Sequence, residues 1–251
     1  MAVGSKRAVY AALFGNLGIA ITKFVAAIFT GSAAMWAEAY HSASDTVNQI
    51  LLLLGIKLSA RPPTFLHQFG FGKSQFFWSF IVATMIFGIS GVLALEQGVS
   101  SLLYGGHQPE NPVINYVVLA IAFGFEGNAL RIAFGQFKEA IKKRGGKVSM
   151  KSLYSEFKES KDPTILTVMV EDSAALLGII IAAVGIYLTD LTGNTVYDAL
   201  SSLFIGILLM MFAFFLAKEN RALLIGESIS PLSYKKIIVL LEKNIFQKRF
   251  F

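Results

Sequence analysis

One stretch carries chemistry where none is expected. Trp36-Ala37-Glu38-Ala39-Tyr40-His41-Ser42-Ala43-Ser44-Asp45-Thr46-Val47-Asn48-Gln49 runs directly into Ile50-Leu51-Leu52-Leu53-Leu54. The segment reads as a membrane-crossing helix whose middle holds an imidazole and two carboxylates. Ionisable groups at mid-bilayer depth are costly and usually mark a pathway or an ion site. On a helix, His41 and Asp45 stand one turn apart and differ in direction by about 40°. Glu38 and Asn48 fall close to the same stripe. A row of nitrogen and oxygen donors inside an apolar helix is what a divalent cation requires.

Two further places hold acids inside apolar runs: Glu126, and the pair Glu171-Asp172. The acids of the two segments bearing His41-Asp45 and Glu171-Asp172 lie about 15–20 Å in from the starting end of each helix. Matched depth lets them meet at one midplane site. Any one such group also serves as an interhelical hydrogen-bonding residue, and Glu38 and Glu126 fit that plainer role well. Three independent groups at one depth fit it poorly, which favours His41, Asp45 and Asp172 as ion donors.

The elements that must position these residues follow from composition. Of 251 residues, 55% are apolar and 15% charged, and mean hydropathy is +0.61. This is an integral membrane composition, and 22 phenylalanines suit lipid-facing surfaces. A spanning helix needs roughly 20 mainly apolar residues. Six stretches qualify: about 8–29, 33–58, 76–103, 113–137, 163–188 and 196–217. The first apolar run is longer than a signal-peptide core, and the Met1–Arg7 lead is too short for an Arg-rich transit peptide. Gly31-Ser32 and Gly193-Asn194 mark tight turns, and Asp162-Pro163 marks a helix start. With no cysteine in the chain, thiolate ligands and disulfides are excluded. The net charge of +6 is a topology signal. Lys and Arg gather in the lead, around the 59–74 connector, in the 138–162 loop and after 217, while the other three connections have none. That asymmetry places both termini in the cytoplasm. No motif supports nucleic-acid binding, and no nucleophile–base set or phosphate loop supports an enzyme.

These motifs together resemble the cation diffusion facilitator (cation efflux) family, and within it the subfamily of the ninth human zinc transporter. Gly31-Ser32 with Ala37 to Asp45 is similar to the family's second-helix signature. His67-Gln68-Phe69-Gly70-Phe71-Gly72-Lys73 resembles its loop before the third helix. Glu171 to Gly178, and Gly193-Asn194 with Tyr197 to Leu200, are similar to its last two helices. The resemblance covers about residues 7–230 and implies an all-α, six-helix transmembrane fold. It further implies metal ligands at His41, Asp45 and Asp172. Val168 stands where many members carry His or Asp, so Glu171, or Glu126 from the fourth span, takes the vacated role. Glu126 and Glu38 are candidate proton carriers or accessory groups. Phe71 replaces a His common in the family's loop, which leaves His67 a solvated loop residue.

The function this implies is export of a divalent transition metal, zinc foremost with Mn2+, Fe2+ or Co2+ open, in exchange for protons. The alternatives are a metal-permeable channel and a structural membrane protein that transports nothing. The expected organisation is a transmembrane unit over 1–228 and a short cytoplasmic tail over 229–251. That tail stands where relatives carry a cytoplasmic α/β domain, and it holds one amphipathic helix over about 234–243. A homodimer held by membrane helices is expected. The expected location is a bacterial plasma (inner) membrane, with an organelle membrane as the alternative.

Overall fold

The computed structural model describes residues 3–106, 108, 111–143, 163–226, 234 and 237–242. Helices fill almost all of it: α1 (Val3–Thr30), α2 (Ala33–Ser59), α3 (Ser74–Ile81), α4 (Phe87–Tyr104), α5 (Pro112–Lys143), α6 (Pro163–Thr192) and α7 (Val196–Ile225). A π-helical turn, Val82–Ile86, joins α3 to α4 as one continuous rod. Among the described residues there is no strand. A bilayer demands this, because every backbone polar group must find its partner within the segment.

Five rods are long and apolar enough to cross a membrane: those within α1, α3 through α4, α5, α6 and α7. The remaining long helix, α2, has 27 residues, about 40 Å at helical rise. Its polar residues keep it below the hydropathy of the others, yet it is the most enclosed, packing against α1, α3, α4, α6 and α7. Glu38, His41, Ser42, Ser44, Asp45, Thr46 and Asn48 are all buried along it. Its polar face therefore looks into the bundle and meets little lipid.

The surface reverses the soluble pattern. Phe14, Phe29, Phe204 and Phe214 point outward, while the interior is lined by Ala26, Ala27, Ala34, Ala37, Ala94, Ala122 and Ala182. Small residues let helices approach closely when lipid supplies no hydrophobic drive between them. The closest pairing joins α4 and α7: a methyl carbon on Gly206 would lie 2.8 Å from the Leu95 amide nitrogen and 3.0 Å from the Gly91 carbonyl oxygen. Ser202 Oγ donates to the Ala94 carbonyl at 2.8 Å across the same seam.

The turns fall where the sequence places them. Gly31, at φ 67°, separates α1 from α2, and Gly193, at φ 68°, separates α6 from α7. Both adopt the left-handed backbone that glycine enters without penalty. The third rod runs as expected but contains the π turn, which the apolar pattern gives no hint of. Helices α5 and α7 outrun their apolar stretches, to Lys143 and Ile225. Lysine, glutamate and arginine are good helix formers, so the helix continues after the apolar run ends; Lys138 Nζ lies 4.6 Å over the Phe134 ring there. Within the expected tail helix, 237–242 is helical and its Val239, Leu240 and Leu241 are exposed. The rest of the tail, most of the basic 138–162 loop and the side chain of Val168 lie outside the described residues.

Candidate functional site

The site begins with how α2 is anchored. Four backbone N–H groups open any helix without internal partners. Here Ser32 Oγ accepts from Met35 N at 3.1 Å, and the Ser32 carbonyl accepts from Trp36 N at 3.1 Å. The other two, Ala33 N and Ala34 N, both donate to the Asp198 carboxylate of α7, which also accepts from Ser32 Oγ at 2.7 Å. A buried carboxylate from another helix thus completes the cap and complements the dipole. Asp198 N in turn donates to Thr189 Oγ1 on α6. The start of α2 is fixed to both α6 and α7, and that sets the depth of everything below it.

One and a half turns further on lies an ion pair. Lys23 Nζ donates to Glu38 Oε2 at 2.7 Å, with both side chains fully buried. Then comes the stripe. His41 Nε2 stands 3.6 Å from Asp45 Oδ2, and both residues are buried. Asn48, one turn beyond, donates through Nδ2 to Glu171 Oε1 on α6. Asp45 lies within electrostatic reach of Glu126, Lys23, Asp172 and Glu38. Glu171 lies within reach of Asp45, Asp172 and Glu126, and Asp172 within reach of Glu126.

All six residues singled out from sequence therefore share one interior between α1, α2, α5 and α6. The neighbours Glu171 and Asp172 point about 100° apart: Glu171 turns to Asn48 of α2, and Asp172 has Glu126 of α5 as its leading charged neighbour. Three acceptor oxygens in this interior, Asp45 Oδ1, Asn48 Oδ1 and Asp172 Oδ2, are buried without a hydrogen-bond partner. Such oxygens are costly in low dielectric and are suited to a cation. Among the described residues, no three His, Asp or Glu side chains converge closely enough to share one ion. The donors surround a common space. His67 stands apart in the exposed 59–74 connector, its ring stacked on Phe71 at 4.4 Å between centroids.

Three features escape a plain reading of the sequence. The Lys23–Glu38 pair was legible in principle, since Lys23 precedes Gly31 by eight residues and Glu38 follows it by seven. A hairpin of two helices must bring such positions level. The Asn48–Glu171 bond and the Asp198 cap join distant segments, and no local spacing announces either.

The fold and its interior define an all-helical, multi-pass membrane protein with an acidic centre. More narrowly, the chain belongs to the cation efflux family: the cation efflux transmembrane domain matches residues 9–225. It is 40% identical over 223 residues to the human proton-coupled zinc antiporter SLC30A9, mitochondrial, covering 88% of this chain and 38% of that one. It is 34% identical over 240 residues to metal tolerance protein C4 of Arabidopsis thaliana, covering 96% of this chain and 51% of that one. The yeast mitochondrial metal transporter 1 matches a shorter stretch, 41% identical over 71 residues, covering 28% of this chain and 14% of that one. The chain thus spans about two-fifths of the human relative's length and about half of the plant one's.

Proposed function

We propose that this protein moves a divalent transition metal, zinc foremost, out of the cytoplasm in exchange for protons. The supporting observation is the buried interior in which His41 and Asp45 of α2 face Glu171 and Asp172 of α6, with Glu126 beside them. Lys23, the one cation near so many acids, is already paired with Glu38. The remaining charge is balanced by mobile cations, metal or proton. A ligand must shed its proton before it holds metal, so the two cargoes compete for the same oxygens. His41, Asp45 and Asp172 serve as metal ligands, and Glu171 or water completes four positions. Because the donors surround a space without converging, binding draws α2 and α6 side chains inward. A site open to each side in turn then couples the proton gradient to metal movement. Ligands of nitrogen and oxygen suit zinc and leave Mn2+, Fe2+ and Co2+ as further cargoes.

This reading takes α2 as a sixth span, with both termini cytoplasmic, residues 1–228 as the transport unit, 229–251 as a tail, and two copies associating through membrane helices. It assigns no enzymatic activity. For location we propose a bacterial plasma (inner) membrane; an organelle membrane is favoured instead by the mitochondrial names of the human and yeast relatives. Fractionation of the source cells separates these. The central test is zinc uptake by inside-out proteoliposomes with and without a pH gradient. Gradient-driven uptake is expected; uptake at the same rate without it identifies a passive pore. Cross-linking in mild detergent, comparing the full chain with one ending at Ile229, tests the dimer.

A further inference from the structure

A lysine beside a cation site is a paradox. Lys23 belongs to α1, which contributes no donor to the proposed metal site, and its ammonium is fully buried. It lies within electrostatic reach of His41, Asp45 and Glu126. Glu38, its partner, sits one turn before His41 on α2, so the ammonium stands about one turn from the imidazole. Glu38 is itself held from the far side. A methyl group on Gly178 of α6 would collide with Glu38 Oε1, so glycine there gives the carboxylate its room. Three helices meet at this pair: α1 supplies the cation, α2 the anion and α6 the gap.

A buried ion pair of this kind contributes little to stability by itself, so its position is the feature to account for. An unbalanced positive charge so near a dication opposes its binding steeply, because screening is weak in the interior. We infer that Glu38 is a charge-compensating residue: by holding Lys23 at 2.7 Å it cancels a positive charge that would otherwise expel metal from the His41–Asp45–Asp172 site. Glu38 then acts through Lys23 and not as a metal ligand, and the two residues form one unit. This inference rests on the reading of that site as the metal site, and the experiment separates the two.

The experiment measures zinc Kd by isothermal titration, with Tm recorded on the same samples, for wild type, Glu38→Gln, Lys23→Met, the double variant and Asp45→Ala. Removing Glu38 alone leaves the ammonium unopposed, and the expected zinc Kd is weaker by about tenfold or more. Lys23→Met removes the opposing charge, so zinc binding is not weakened. The double variant returns to within about threefold of wild type, since the two changes act as a unit. A merely structural pair behaves differently: both single variants lose Tm, and Kd does not divide between them. Equal weakening in both single variants overturns the inference. So does a wild-type Kd in Glu38→Gln, or a double variant weaker than wild type by tenfold. Should Glu38→Gln not be recovered folded, a weakened Kd in Lys23→Met or in the double variant still overturns it. If Asp45→Ala binds zinc like wild type, the site reading fails instead.

Discussion

Asp198→Ala is a direct probe of how the site is held at its depth. The substitution removes the acceptor for Ala33 N, Ala34 N and Ser32 Oγ together. The two alanines are 1% and 0% exposed, so no water reaches their N–H groups. A buried donor left unsatisfied costs about 1–3 kcal/mol, and bonds to a charged acceptor lie at the upper end of that range. Loss of the negative charge at the helix start adds up to about 2 kcal/mol in a buried setting. Local relaxation recovers part of this, so the expected loss is about 3–5 kcal/mol. At roughly 2–4 °C per kcal/mol for a chain of this size, Tm falls by about 10 °C. Asp198→Asn keeps one acceptor oxygen and loses the charge, so about half that drop is expected. Purified protein in mild detergent, followed by thermal unfolding and by hydrogen exchange, supplies the readout. Exchange should quicken at Ala33, Ala34 and Met35 while the centre of α5 is unchanged. A Tm within about 2 °C of wild type, with unchanged protection at Ala33 and Ala34, refutes the capping account.

Asp45→Ala and Asp172→Ala should each abolish zinc transport in proteoliposomes while leaving membrane insertion intact, because too few anionic donors remain to offset dehydration of the ion; wild-type zinc titrations in both would remove these residues from the site. Asn48→Ala frees Glu171 from α2, and loss of such a supporting hydrogen bond typically lowers metal affinity about 10–100-fold, readable as zinc Kd on folded protein. Gly206→Val should destabilise the α4–α7 seam by about 3 kcal/mol or more through overpacking against Leu95 and Gly91, seen as a lowered Tm with little folded protein recovered. Ser202→Ala, on the same seam, should cost only about 0.6 kcal/mol, the usual worth of a hydrogen bond between membrane helices.

How much of this the sequence reveals depends on the range of the interaction. Helices, their turns at Gly31 and Gly193 and the start at Pro163 are encoded by neighbours, so they are legible residue by residue. The acids were legible for a different reason: an apolar background makes Asp45, Glu126 and Asp172 conspicuous, and helical rise fixes their depth. What a carboxylate does after it is found depends on what faces it. Glu38 and Asp198 read alike in sequence, as acids near a helix start or middle. The structure assigns one to a lysine from α1 and the other to the opening turn of α2. Glu171 likewise meets Asn48 through the docking of α2 on α6, a contact spanning 123 positions of chain. The ends of α5 and α7 were misjudged because hydropathy reports where lipid ends, and helix propensity does not stop there.

The π turn at Val82–Ile86 has a consequence for which changes this gene can tolerate. A π turn accommodates one residue more than an α-helical turn, so the angular phase of everything after it is set by that surplus. Gly91, Ala94 and Gly98 meet α7 only in this phase. Deleting any single residue from 82–86 would regularise the helix locally, yet it would rotate the following segment by about 100°. Leucines would then be driven against Gly206. A deletion that tidies the backbone would therefore be lethal to the fold, whereas a second residue inserted within the same rod should act as a partial suppressor by restoring phase. The irregularity works as a reading frame for side chains, and pairs of compensating indels along this rod are how it can be mapped genetically.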